Sequence, residues 1–383
     1  MTDRTIAVVT GTRAEYGLLS TSMAEIQRRS GLDLAVIATG MHLSHQHGNT
    51  VEAIREDGFE VTHTVDALLE SDTERGMAKS LGLGLLGLAE RFADLDPDVV
   101  LVLGDRWEAF AAGVAGAHMN VPVAHVHGGD AMRGATIDDS IRHALTKFAH
   151  IHFPATENSK ERILRLGEEE WRVTVVGAPG LDDVLTGEYG DPEATKADLG
   201  LTRQLVLVVQ HPVTTQPDRA GDQMRETLDA VASFDVDPVV IYPNADAGGK
   251  RIIETIEDHP AADRFESFEN LERSRYLGLL EAADAVVGNS SSAIIEAPSL
   301  GTPVVDVGPR QAGRERAENV VSVPHDAGRI REAIDATLHD DEIRRRAESC
   351  ENPYDRGGAA RLIVDRLESI TIDDALLRKR MTY

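Results

Sequence analysis

The hydrophobic pattern alternates short, fully apolar runs with longer segments of helical period. Val99-Val100-Leu101-Val102-Leu103 is one such run, and it stops at Gly104-Asp105-Arg106. A small-residue helix follows, then a second run, Val123 to Val126, which stops at His127-Gly128-Gly129-Asp130. Continuous apolar runs closed by glycine and charge predict parallel strands buried on both faces. In open sheets of this kind, ligands bind outside the carboxyl ends of the strands. Thr136 to Phe148 predicts a helix with Ile137, Ile141, Leu145 and Phe148 on its apolar face. Asp138 and Arg142 are four apart and share the adjacent face. Asp105, Arg106, His127, Asp130, Asp138 and Arg142 are therefore expected around one site.

The same rhythm runs through the chain. Thr5 to Val9 predicts a strand, Thr10 to Gly17 a glycine turn, and the residues through Arg29 a helix. Such a turn aims backbone N–H groups at an anion, and Arg13 stands in it. The G-x-G-x-x-G fingerprint of dinucleotide binding is absent. Leu34 to Ala38 predicts the next strand, and Ser44 to Glu56 a helix. His42, His45 and His47 do not share one helical face, so no metal site is expected. Asp66 to Arg75 reads as polar and mobile. Met77 to Phe92 reads as a helix whose Gly82, Gly84 and Gly87 permit close packing. Glu157 to Leu166 predicts a helix, Val173 to Val176 a strand, and Gly177 to Pro192 an interdomain hinge.

In the second half the strands are Leu205 to Val209, Val239 to Tyr242, Ala285 to Val287 and Pro303 to Val307, each ending in a polar loop. Gly288-Asn289-Ser290-Ser291-Ser292 leads into a helix from Ala293 to Ser299, a suitable seat for a diphosphate. One serine suffices to cap that helix; three exceed the need. Glu296, inside it, is placed to accept both hydroxyls of a ribose. Arg310 and Arg314 lie in a glycine-flanked loop and would neutralise a leaving phosphate. His211 follows a buried strand and precedes a proline that sets the loop direction. The fold class expected is α/β, with two Rossmann-like doubly wound domains facing a cleft. Residues 1–180 form the first, 190–360 the second, and 361–383 a helical tail returning to the first.

Composition narrows the function classes. A chain of 383 residues suits two domains. No stretch has 18 consecutive apolar residues and MTDRTIAVV enters a strand directly, so neither a membrane span nor a signal peptide is expected. The single cysteine, Cys350, excludes an intrachain disulfide framework and suits a cytoplasmic protein. A net charge of -26 argues against a nucleic-acid partner. Only six of the 39 basic residues are lysines, a surface suited to high salt. An anionic ligand then needs a local positive pocket, which directs attention to the arginines near glycines.

The stretches GTRAEYGLL, GDRWEA, HVHGGD, IDDSIRHALTKFAH, QHPVTT, PNADAGG, GNSSSAIIEA and GTPVVDVGPRQAGRERAENV, in order from residue 5 to about residue 323, resemble the hydrolysing UDP-N-acetylglucosamine 2-epimerases of sialic-acid and legionaminic-acid pathways. The resemblance implies the paired-Rossmann architecture of B-type glycosyltransferases, with UDP held mainly by the C-terminal domain and no cofactor. It implies conversion of UDP-N-acetylglucosamine and water to N-acetylmannosamine and UDP, by a homo-oligomer (dimer or tetramer). The family's catalytic acids fall on Asp105 and Asp138, with Arg142 beside the latter and His211 from the second half. Its nucleotide contacts fall on Arg13, Arg106, His211, Asn244, Ser290, Ser291, Glu296 and Arg310. One loop departs from the pattern: where members often read H-x-E-G-G-E, this chain has His127-Gly128-Gly129-Asp130. Either Asp130 supplies the missing carboxylate or His127 performs that proton transfer. Three alternatives share parts of the pattern: the same chemistry on a UDP-2,4-diacetamido-trideoxyhexose, a B-type glycosyltransferase, and a nucleotide-sugar sensor. The non-hydrolysing epimerases continue Arg-Pro-Glu where this chain reads Arg13-Ala14-Glu15.

Overall fold

The computed structural model describes residues 4–69, 73–132, 137–244 and 246–383. They form two compact units. The first comprises the chain to Ala131, Ile137–Asp182 and Tyr354–Tyr383; the second is built on Asp183–Pro353.

The first unit holds a parallel sheet of β1 (Arg4–Thr10), β2 (Leu32–Thr39), β3 (Val61–Val65), β4 (Val99–Leu103), β5 (Val123–Val126) and β6 (Ile151–Phe153), in spatial order 3-2-1-4-5-6. The second holds β7 (Leu205–Val209), β8 (Asp237–Ile241), β9 (Glu266–Phe268), β10 (Ala285–Gly288), β11 (Val304–Val307) and β12 (Val320–Val323), in order 12-11-10-7-8-9. Counted within each unit, the two orders are the same doubly wound topology. The strand order reverses between β1 and β4 in one and between β7 and β10 in the other. A crevice at the carboxyl ends of the strands follows from that reversal.

The core explains the apolar runs. Ile6 and Val8 point to one face of β1 and pack with Leu19, Met23 and Ile26 of the helix Arg13–Arg28 and with Ile363, Val364 and Leu367 of the helix Ala359–Ser369. Ala7 and Val9 point to the other face, against Leu88, Phe92, Ala111 and Ala112. Each such Val, Leu, Ile, Met or Phe side chain removed from water contributes about 1.5–3 kcal/mol. Thr12 caps the helix Arg13–Arg28 by accepting the Glu15 N–H. Arg29 at its end pairs with Asp365 and Glu368 of the C-terminal helix.

Several local expectations change. The short strands β3, β6, β9 and β12 carry little pattern of their own and are not apparent in the sequence. Val173–Val176 forms no strand: it makes one bridge, His152 to Val173, beside β6. The helix expected from Ser44 begins only at Val51, because Gly48 and Asn49 take positive φ values of 80° and 46° and break it. Of the three helix glycines, Gly84 and Gly87 do permit close packing, against Trp107 and Val65, whereas Gly82 faces open space. Thr136, Ala245 and residues 70–72 of the polar 66–75 stretch lie outside the described residues. Among the described residues no helix is long and apolar enough to cross a membrane.

Gly288 closes β10 at φ 138°, where a Cβ would stand 2.1 Å from the Val209 carbonyl oxygen at the end of β7. Backbone cannot move aside as a side chain can. Gly288→Ala is expected to lower stability by about 2 kcal/mol or more, measured as a fall in denaturant midpoint at unchanged m-value.

Candidate active site

In the first unit the loops after β4 and β5 meet the helix Ile137–Phe148. Arg142, on the second turn of that helix, is 1 % exposed and ties them together. One guanidinium nitrogen meets the Asp105 carboxylate. Another donates to the Asp130 carbonyl at 3.2 Å and lies 3.3 Å from the Asp139 carboxylate. Asp138 is half-buried in the first turn of the same helix. Ile137, expected on the apolar face, is 58 % exposed, so that face begins only at Ile141.

The turn after β5 is held from below. His127 has φ 61°, unusual for a residue with a Cβ, and its N–H donates to the Phe153 carbonyl at 3.0 Å. Asp130 is buried; its Oδ1 accepts the Ser159 hydroxyl at 2.8 Å, and its Oδ2 lies 3.8 Å from His127 Nδ1. Gly129, at φ 81°, passes so near Ser159 that a Cβ would stand 2.2 Å from its carbonyl oxygen. Beneath the turn, the fully buried His125 shares a 2.7 Å hydrogen bond between Nε2 and the Gly104 carbonyl. Burial lowers its pKa to about 3, so the ring is neutral and Nε2 is the donor. His125 thus links the Asp105 loop to the Asp130 loop.

At the reversal point between β1 and β4 lie two further buried carboxyls. Glu15 Oε2 accepts the Gly11 N–H at 2.8 Å, and Thr12 accepts the Glu15 N–H at 3.2 Å, a reciprocal cap. Glu108, fully buried, packs over Gly11 and Gly40, where any Cβ would stand within 2.5–2.6 Å of its side chain. Arg106 turns toward it, with Nε 3.3 Å from Oε2. Burial first, and the nearby Glu108 second, raise the Glu15 pKa to about 8. Arg13 opens the helix beside them, half-exposed. His42 is occupied by Thr10 and Thr50, at 3.2 and 2.8 Å, one threonine at each ring nitrogen.

In the second unit the loops after β7, β10 and β11 converge on Asn289, which is 1 % exposed, and the loop after β8 reaches His211 beside it. Its Oδ1 accepts the His211 N–H at 2.7 Å and its Nδ2 donates to the His211 carbonyl at 3.0 Å. Its own carbonyl accepts Arg310 at 3.0 Å and Gln311 at 2.8 Å. His211 Nδ1 accepts the Asn244 N–H at 3.3 Å. The helix after Ser290 spans only Ser291–Ile295, shorter than expected, and Ser290 caps it by accepting the Ser292 N–H. Glu296 therefore stands at the end of the helix, not inside it. Its Oε1 lies 2.7 Å from Arg273, and its Oε2 accepts Ser292, whose oxygen in turn accepts Tyr276 at 2.7 Å. A carboxylate has room for further donors on those oxygens.

Of the expected residues, Asp105, His127, Asp130 and Arg142 come together, with Asp138 on the first turn of the Arg142 helix and Arg106 turned toward Glu108. His211, Asn244, Ser290, Ser291 and Arg310 come together in the second unit. The residues that organise both groups, His125, Glu15, Glu108 and Asn289, were not singled out by sequence. Glu15 had a readable signal, the T-x-x-E cap; His125 and Asn289 had none.

A carboxyl whose folded pKa lies above its unfolded value destabilises the fold once pH exceeds the unfolded value. The loss grows until pH passes the folded one. For Glu15 that window runs from 4.5 to about 8. Glu15→Gln keeps an acceptor for Gly11 and removes the titration. It is expected to match wild type near pH 5 and to exceed it by more than about 1 kcal/mol at pH 8.5, in denaturant melts at both pH values.

Known proteins share this fold. The family model described as UDP-N-acetylglucosamine 2-epimerase matches residues 24–368. A UDP-N,N'-diacetylbacillosamine 2-epimerase (hydrolyzing) from Legionella pneumophila is 36% identical over 99% of this chain and 100% of its own. A GDP/UDP-N,N'-diacetylbacillosamine 2-epimerase (hydrolyzing) from Campylobacter jejuni is 35% identical over 84% of each chain. The crystal structure of the UDP-GlcNAc 2-epimerase from Neisseria meningitidis, bound to UDP-GlcNAc, superposes with a TM-score of 0.80 at 20% identity, covering 95% of this chain and 99% of that one. The doubly wound pair of sheets is thus a shared fold, and the chain belongs to the UDP-N-acetylglucosamine 2-epimerase family.

Proposed function

We propose that this protein is a hydrolysing UDP-hexosamine 2-epimerase, taking UDP-N-acetylglucosamine and water to N-acetylmannosamine and UDP. The observation that carries the reading is the buried guanidinium of Arg142, which holds the carboxylates of Asp105 and Asp139 and the backbone carbonyl of Asp130 and stands one turn from Asp138 on the same helix. Several carboxyls in differing surroundings are what a two-stage proton transfer needs. A second donor, UDP-N,N'-diacetylbacillosamine, is supported by the names of the Legionella and Campylobacter relatives.

The hydrogen on C2 of a hexosamine is not acidic, because that carbon bears no carbonyl. Departure of UDP must run ahead of its loss. As the C1–O bond breaks, its electron pair leaves with UDP and oxocarbenium character at C1 acidifies the C2 hydrogen. Arg310 and the serine loop receive the diphosphate charge in this reading, and Arg13 and Arg106 assist. A carboxylate takes the C2 proton, which leaves a glycal. Water then adds its hydroxyl to C1, and a proton reaches C2 from the opposite face. Asp105 and Asp138 are assigned to these transfers. Asp130, held by Ser159 behind His127, makes an Asp130–His127 pair the third group. The interaction of His211 with Asn244 and Asn289 assigns it to orienting the nucleotide side.

Asp138→Asn is expected to fold as wild type and to lose about 10²–10⁴ in kcat. Asp105→Asn should lose as much and also about 1–3 kcal/mol of stability, because buried Arg142 loses a charged partner. Turnover in D₂O is expected to release UDP and place deuterium at C2 of the product, read by mass spectrometry with each donor in turn. Product without deuterium at C2 eliminates the glycal route. Return of a UDP-linked product eliminates hydrolysis, and binding without turnover would favour a sensor.

A further inference from the structure

The last residues of the chain are bolted to the far end of the helix that carries Asp138 and Arg142. The helix Ile137–Phe148 leaves carbonyls at its C-terminal end without helical partners. Lys379, in the tail beyond the helix Asp374–Leu377, donates from Nζ to the Thr146 carbonyl at 3.0 Å and to the Lys147 carbonyl at 3.0 Å. A cation is favourable at that end of a helix. The same ammonium lies 2.8 Å from Glu168, whose side chain is 1 % exposed. Glu168 also binds Lys147 at 2.5 Å and His152 Nε2 at 3.2 Å. A second bolt lies one turn back: Arg172, fully buried, donates to the Leu376 and Ala375 carbonyls, each at 2.7 Å, and to the His150 carbonyl at 3.3 Å. Thr382 then donates to the Gly167 carbonyl at 3.2 Å.

A surface tail does not need a buried ion cluster to stay folded. The arrangement has a mechanical consequence instead. The helix has 12 residues, so it spans about 18 Å, and its two ends are fixed by two different sets of charges. Arg142 with Asp105 holds the N-terminal half, and Lys379 with Glu168 holds the C-terminal end. A rigid rod held at one end pivots; held at both, it does not. We infer that Lys379 is a positioning residue for the epimerase reaction, fixing through the helix Ile137–Phe148 where Asp138 and Arg142 stand. This rests on the proposed function for its kinetic consequence, not for its structural one.

The test compares Lys379→Met, Lys379→Arg and, as a control on the same tail, Arg378→Ala, whose pairing with Asp374 is exposed. Two readouts are taken on the full chain: steady-state kinetics with both UDP sugars, and hydrogen exchange of the amides from Ile141 to His143, the first of the helix with helical acceptors. For Lys379→Met, kcat should fall about tenfold with KM within about twofold, a displacement well under 1 Å. Exchange in the first turns should rise about as much, with the sheet strands unchanged. Lys379→Arg should restore most of both, and Arg378→Ala should match wild type. Wild-type exchange at residues 141–143 in a folded Lys379→Met overturns the inference. So does an equal rise across the whole first unit, which marks general destabilisation. If Lys379→Met does not fold, Lys379→Gln, still a donor to the carbonyls but uncharged toward Glu168, is read in the same exchange experiment. Should wild type turn over neither sugar, the functional reading fails and the exchange arm alone decides this one.

Discussion

The buried guanidinium of Arg142 is the constraint on which the loops at the carboxyl end of the first sheet depend. It is among the largest fully buried side chains in the protein, and arginine cannot shed its charge to enter a core. It must be paired, and the chain pairs it with carboxylates drawn from two separate elements, Asp105 after β4 and Asp139 on its own helix. That single requirement forces the β4 loop and the helix Ile137–Phe148 into register. The same pairing fixes the first turn of that helix, where Asp138 stands half-buried. A buried ion network of this type contributes little net stability against an apolar core, and its use is to specify one arrangement.

The second unit solves a comparable problem without charge. Asn289 presents a donor and an acceptor from one amide and a backbone carbonyl beside them. It uses all three to join the loops after β7, β10 and β11. The loop that would receive a diphosphate therefore owes its shape to a neutral residue, while its charge comes from Arg310. In a chain with net charge -26 this division is economical. The 39 positive groups are outnumbered by 65 acids, and Arg310, Arg142 and Arg172 are placed to meet backbone carbonyls and carboxylates.

The two units reach the same strand order from unlike sequences, and each places its candidate groups at the point where that order reverses. Topology, not side-chain identity, explains why both sets of loops fall at the carboxyl ends of the strands. Function then rests on which loops carry acids and which carry hydroxyls and arginines.

The central strands β1, β4, β5, β7, β10 and β11 were legible in the sequence because burial on both faces demands unbroken apolar runs. The polar residues ending those runs were legible for the same reason. Edge strands β3, β6, β9 and β12 were not, since a strand of three to five residues with one neighbour can be built from almost any side chain once the sheet is there to pair with it. The T-x-x-E spacing of Thr12 and Glu15 is a local signal for a helix cap, although it was not among those read from the sequence. That Glu15 would be a buried acid beside Glu108, 93 positions later, depends on Glu108 being packed over Gly11 and Gly40. The partners of Arg142, the hydrogen bond from His125 to Gly104 and the grip of Lys379 on a helix some 230 residues earlier were likewise decided only by tertiary structure. Hydrophobic periodicity is a local property written into neighbouring residues, whereas the pairing of buried polar groups is satisfied wherever the fold happens to bring a donor to an acceptor.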